Sequence, residues 1–181
     1  MGQISLKELD VRGVYEIAPF ISGDNRGSFV KLFEEDIFRK HGLSTSFVEE
    51  YYSVSKKGVV RGLHFQEPPA DCAKLVYCIK GAVLDAALDI RKKSPSFGRH
   101  ILAMLSEHNK KILYLPPGIA HGFYALEDDT VMVYKVTAGY AAAQDKGLLW
   151  NSCGIKWPSG AVIISERDAS FPRMSDYASP F

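Results

Sequence analysis

Two short segments carry side chains of the kinds that move protons or hold metals. They are GVVRGLHFQ, from Gly58 to Gln66, and PPGIAHGF, from Pro116 to Phe123. Each sets one histidine, His64 or His121, in an apolar run beside Gly or Pro. An imidazole titrates near neutrality, so it can serve as a general base or acid, or as a metal ligand. Gln66 and Lys74 follow His64 closely and bear on which of these it is.

The elements that must position these residues read as strands. From Val59 onward, short apolar runs (KLVYCI, AVLDAALDI, HILAML, KILYL, HGFYAL, VMVYKVT) are separated by turn signals such as SEHN, PPG and EDD. Alternation in the last run sends Val131, Val133 and Lys135 one way and Met132, Tyr134 and Val136 the other. Strands at this spacing suggest a closed barrel or a sandwich. Helix signals are few: EEDIFRKHG has early acids, late bases and a closing Gly42. The stretch from Ser165 to Phe181, with two Pro residues and no periodicity, is expected to lie across the barrel surface.

The two histidine segments resemble the paired signature motifs of cupin barrels. Gly58 and His64 fit the first motif, and Pro116, Gly118 and His121 fit the second. The second histidine of the metal-binding form is Gln66 here, and Lys74 stands where that form has a Glu, separated from Gly81 by six residues. A catalytic divalent metal asks for about three or four imidazole or carboxylate ligands. Two imidazoles and an ammonium fall short; the ammonium repels such a metal and suits an anion. No metal is expected, and the cavity is expected to work on an anionic or enolising substrate.

Bulk properties narrow the rest. The chain has 181 residues, 46% hydrophobic and 24% charged, which suits one globular domain over residues 1–181. A formal net charge of +1 argues against a nucleic-acid binder. The run Arg91, Lys92, Lys93 reads as a solvated loop. Three cysteines without a CxxC pair point to a reducing compartment. MGQISLKELD lacks the apolar core of a signal peptide, and no apolar run approaches the roughly 20 residues of a membrane helix. The expectation is a cytoplasmic protein with no membrane partner.

Further segments sharpen the resemblance. RGLHFQ, KLVYCIKGAVLDAALDIRKKSPSFG, LPPGIAHGF, YKVT, WNSCGIKWP and SERD look like the dTDP-4-dehydrorhamnose 3,5-epimerase family, in family order, and with DNRG they run from Asp24 to Asp168. The resemblance implies an all-β, cupin-like jelly-roll barrel with a few short helices. It implies a homodimer with exchanged N-terminal strands and a nucleotide-sugar substrate, with no cofactor. The reaction would be epimerisation at C3, C5 or both of a 4-keto-6-deoxyhexose, whose ketone acidifies the flanking hydrogens. His64 would be the base, Asp168 the carboxylate orienting it, Lys74 the cation at the enolate oxygen, and Tyr134 the acid on the opposite face. Arg61 and Arg26 would contact sugar and diphosphate, His121 would line the pocket, and Tyr140 matches the second of a tyrosine pair whose first member is Gly139 here.

Departures cluster where the family holds the nucleotide. The segment that reads DERGFFFE in the family is DNRGSFVK, keeping Arg26 and Phe29 but placing Lys31 at a carboxylate position. EEYYSVS places Glu49 where the family has Gln and Tyr51 where it has Asn. Glu49 could accept from an exocyclic amine, so a base other than thymine is expected. Competing readings are a sugar 3,4-ketoisomerase, a non-catalytic nucleotide-sugar-binding barrel and a metal-dependent cupin oxygenase. The first two are disfavoured by the complete His64, Lys74, Tyr134 and Asp168 set, and the third by Gln66 and Lys74.

Overall fold

A computed structural model describes residues 3–181. In chain order the strands begin with β1 (Ser5–Glu8), β2 (Tyr15–Ala18), β3 (Phe20–Asp24), β4 (Gly27–Lys31) and β5 (Glu49–Ser55). They continue as β6 (Val60–Gln66), β7 (Lys74–Lys80), β8 (Ala82–Asp89), β9 (His100–Ser106) and β10 (Ile112–Leu115). The last are β11 (Ile119–Ala125), β12 (Thr130–Val136) and β13 (Asp145–Gly147). Two short α-helices, α1 (Glu35–Lys40) and α2 (Glu166–Ala169), complete the regular structure with a single 3-10 turn at Met174–Asp176.

The strands form a six-stranded sheet, β1-β2-β10-β7-β12-β5, and a five-stranded sheet, β13-β6-β11-β8-β9. Neighbours in both sheets run antiparallel. The core between them takes alternate residues of both: Val76, Leu113 and Met132 from one, Val83, Leu105 and Phe123 from the other. Two packed sheets whose inner side chains interdigitate are the jelly-roll solution to burying one face of each sheet. The fold is all-β, as expected from the runs after Val59, and of the cupin type that the resemblance implies.

The outward residues are covered too. Tyr77, Ile112 and Val133 pack under Phe38 of α1, so the alternation on β12 divides as the sequence suggests. α1 carries Glu35 and Asp36 early and Arg39 and Lys40 late, and Gly42 follows with φ +69°. On the other sheet, Leu63, Phe65, Ala86 and Leu88 are covered by Leu148, Ile155 and the tail residues Met174, Tyr177 and Phe181. The tail therefore lies across the barrel and adds no core strand. Among the described residues no helix is long and apolar enough to cross a membrane.

One expectation needs correcting. Arg91 is not part of a solvated run, although Lys92 and Lys93 are exposed. Its guanidinium grips fully buried Asp89 through two 2.8 Å bonds, Nε to Oδ1 and Nη2 to Oδ2. Ser94 and Ser96 also donate to Asp89, and Ser96 Oγ accepts the Arg12 amide, so the loop ties the N-terminal segment to the barrel.

Candidate active site

A cavity of about 410 Å³ opens between the two sheets. The register brings its chemistry together. His64 on β6 lies directly opposite His121 on β11, and Tyr134 on β12 lies opposite Tyr51 on β5. Lys74 opens β7 beside β12. Odd residues of β5, Glu49, Tyr51 and Ser53, face the cavity.

The His64 imidazole donates from Nε2 to Asp168 Oδ1 at 2.8 Å, which leaves Nδ1 for a substrate. Asp168 comes from α2, where its own amide is capped by Ser165 Oγ at 3.1 Å. Its Oδ2 accepts from the Gly62 amide at 2.9 Å. Burial alone would raise the Asp168 pKa, but the bonds from His64, Gly62 and Ser165 outweigh it and hold the carboxylate below its usual range. A carboxylate kept charged behind an imidazole orients it and stabilises its protonated form.

Two glycines make this possible. Gly62 sits at φ +123°, and a Cβ there would meet the Gly122 backbone at 2.6 Å, so β6 and β11 approach closely only without side chains. Gly147 lies opposite His64 on β13, and a Cβ there would fall 2.3 Å from the Phe171 ring. That space lets Phe171 set its ring against His64, centroids 5.7 Å apart and nearly perpendicular.

Lys74 reaches across the cavity floor, its Nζ 3.2 Å from the His64 carbonyl. Burial pulls its pKa down, partly offset by Cys72, Asp145 and Asp85. Tyr134 is buried, and its hydroxyl exchanges a 3.3 Å hydrogen bond with Ser53 Oγ. Burial raises the Tyr134 pKa well above that of a free phenol, with Ser53 and Arg61 opposing and Asp85 and Tyr51 adding. The phenol thus holds its proton at neutral pH and offers it only to a strong base such as an enolate.

His121 is buried and donates from Nε2 to Asp85 Oδ2 at 2.8 Å. Asp85 is fully buried and its Oδ1 has no hydrogen-bond partner. Burial raises the Asp85 pKa, opposed by His121 and Lys74. Sequence reasoning missed this second imidazole–carboxylate pair. The available signal was an acid, Asp85, at an inward position in the middle of the apolar run AVLDAALDI. Also missed were Ser53, Phe171, and the Arg167–Asp145 ion pair at 2.6 Å on the cavity wall.

The remaining expected residues divide in two. Arg61, Glu49, Gln66 and Tyr140 line the cavity. Arg61 is held by Ser55 Oγ and the Val54 carbonyl, both at 3.0 Å. Gln66 is a brace for the rim: it donates to the Ala70 and Gly139 carbonyls and accepts from the Ala141 amide. Glu49 accepts from the Tyr140 amide at 3.1 Å, and its Oε1 sits 3.1 Å from where a Gly139 Cβ would be. The carboxylate expected to meet a base edge is thus engaged by the chain's own rim. Arg26, Phe29 and Lys31 lie elsewhere, on the β3–β4 hairpin, where Arg26 pairs with Asp24 and Lys31 with Glu34. Among the described residues, no three His, Cys, Asp or Glu side chains converge to hold a metal ion.

Comparison with known proteins places the chain among its relatives. The sequence model described as dTDP-4-dehydrorhamnose 3,5-epimerase matches residues 8–176. The protein of that name from Sinorhizobium fredii is 41% identical over 180 residues, covering 97% of this chain and 92% of the relative. The Bacillus anthracis dTDP-4-dehydrorhamnose 3,5-epimerase, solved with TDP and pyrophosphate bound, superposes with a TM-score of 0.92 at 35% identity, covering 95% of this chain and 100% of that one. The Legionella pneumophila dTDP-6-deoxy-D-glucose 3,5-epimerase, solved with dTDP-4-keto-L-rhamnose, gives a TM-score of 0.92 at 33% identity, covering 97% of this chain and 95% of that one. The chain belongs to the dTDP-4-dehydrorhamnose 3,5-epimerase family.

Proposed function

We propose that the protein is an isomerase that inverts C3, C5 or both of a nucleoside-diphosphate 4-keto-6-deoxyhexose, with its whole chain acting as one catalytic domain. The observation that carries the reading is the Asp168-backed His64 facing the same cavity as Lys74 and Tyr134. His64 takes the proton next to the ketone, and the bonding electrons move onto the C4 oxygen. Lys74 stabilises that enolate with its charge and its hydrogen-bonding protons. As the carbonyl re-forms, Tyr134 gives its phenolic proton to the opposite face of the same carbon. Solvent then reprotonates Tyr134 and accepts the proton from His64, so no electrons are gained or lost and no cofactor is needed.

The proposed carrier is deoxythymidine diphosphate. Relatives at about 40% identity are named for it, and one oxygen of Glu49 is already engaged by the Tyr140 amide. A homodimer is also proposed. The hairpin exposes Phe29 (62%), and the outer face of β5 exposes Tyr52 (69%) and Val54, apolar surface that a second copy would cover. Arg26 and Phe29, remote from their own cavity, would then be available to the partner's.

The test is turnover of thymidine, cytidine and guanosine diphosphate 4-keto-6-deoxyhexoses by the wild-type protein and by His64→Asn. The thymidine sugar should turn over fastest, and the variant should lose about 1,000-fold. Retained turnover in the variant would remove His64 as the base, and preference for another nucleotide would overturn the carrier.

A further inference from the structure

Tyr51 has a place in the site that the acid–base scheme does not use. Its ring stacks on that of Tyr134, centroids 5.0 Å apart and planes 19° from parallel. The two residues are direct cross-strand partners on β5 and β12. Two residues on, Ser53 supplies the hydroxyl that meets the Tyr134 hydroxyl at 3.3 Å. One strand therefore supplies both the surface that fixes the plane of the Tyr134 ring and the atom that fixes the direction of its O–H. Tyr51 itself is 47% exposed, so its second face is open at the cavity mouth. An offset aromatic stack adds to what burial supplies and favours one ring orientation over its neighbours.

From this geometry we infer that Tyr51 is a positioning residue for Tyr134, governing the second proton transfer and not the first. It rests on the reading of Tyr134 as the opposite-face acid. Delivery of a proton to carbon requires near alignment of O–H with the developing carbanion orbital, and a tilt of the ring forfeits it. Abstraction by His64 involves neither tyrosine. Without Tyr51, an enolate should form as before but be quenched from the face it came from, through His64 and its exchanged proton. The sugar then returns labelled but not inverted.

The experiment is to incubate the full-length protein with the thymidine diphosphate 4-keto-6-deoxyhexose in heavy water and to follow two rates. One is deuterium entry into recovered, uninverted substrate; the other is formation of inverted product. Tyr51→Ala should lower inversion about 10- to 100-fold while label entry into substrate stays within about twofold. Tyr51→Phe, which keeps the stack, should hold both rates within about threefold of wild type. Tyr51→Leu serves as the second variant should the alanine form not fold, with thermal melting recorded for each. If the truncations lower both rates in proportion, or change neither, the positioning role is overturned. Tyr134→Phe separates the two readings. Normal inversion in that variant overturns the acid assignment and the Tyr51 role with it; lost inversion beside an unchanged ratio in Tyr51→Ala overturns Tyr51 alone.

Discussion

Lys74 bears the residue-scale consequence most open to measurement. Burial lowers its pKa, so its ammonium is lost at a pH below the ordinary lysine value near 10.5. The activity that depends on that charge should therefore fall on the alkaline side earlier than an ordinary lysine would allow. Lys74→Arg keeps the cation at all accessible pH. The alkaline limb of kcat/KM should vanish in that variant, along with part of the rate, because the guanidinium cannot take the position of Nζ. A limb unchanged by the substitution would assign it to another group. Tyr134 does not supply it, since its phenol is pushed the other way. At this scale the sequence was informative where a segment pattern accompanied the residue: His64, Lys74, Tyr134 and Asp168 all meet at one cavity or directly behind it. It was silent on contacts made across the barrel. Nothing adjacent in sequence joins Asp85 to His121, which the β8–β11 pairing brings together, or Phe171 to His64, which the segment after α2 lays against β6 and β13.

At the scale of elements, the site depends on strands approaching closely beneath His64. Gly147→Ala would push a methyl group into the Phe171 ring, 2.3 Å from the Cβ position. The expected outcome is a shift of Phe171 off His64, a loss of about 1–3 kcal/mol of stability from overpacking, and a fall in kcat larger than any change in KM. Thermal melting and steady-state kinetics check both. The runs after Val59 were legible as strands because each buries most of at least one face. β5 was not, for a physical reason. Its inward residues Glu49, Tyr51 and Ser53 line the cavity, while outward Tyr52 and Val54 are exposed, so the usual apolar-in, polar-out alternation is inverted. The same strand holds Tyr51, a departure from the family pattern where the family holds the nucleotide, and its ring stacks on Tyr134. The β3–β4 hairpin was also unreadable as strand, since four of the five residues of each strand are exposed.

For the whole molecule, stability and catalysis are separable because they use different buried carboxylates. Asp89 has no contact with the cavity; it accepts from Arg91, Ser94 and Ser96, and through Arg91 and Ser96 reaches both the carbonyl and the amide of Arg12. Burial would raise its pKa, yet those hydrogen bonds hold it below the usual value. Its contribution is therefore complete above the ordinary carboxylate pKa and is lost as pH falls through the lowered folded value. Asp89→Ala should cost about 3 kcal/mol by leaving Arg91 and two hydroxyls unpaired. That corresponds to roughly 9 °C in Tm for a domain of this size, with the acid-dependent part of unfolding reduced and kcat unchanged at temperatures where the variant is folded. A variant as stable as wild type would show the network to be ornamental.

The proposed chemistry asks the whole molecule to invert a carbon with its own side chains alone. The direct measurement is turnover of the thymidine diphosphate 4-keto-6-deoxyhexose in heavy water by wild-type protein freed of metals with a chelator. The expected result is undiminished turnover, with one solvent deuteron at each inverted carbon beside the ketone. Product without deuterium, or turnover that appears only when a divalent metal is restored, would contradict proton transfer between His64 and Tyr134.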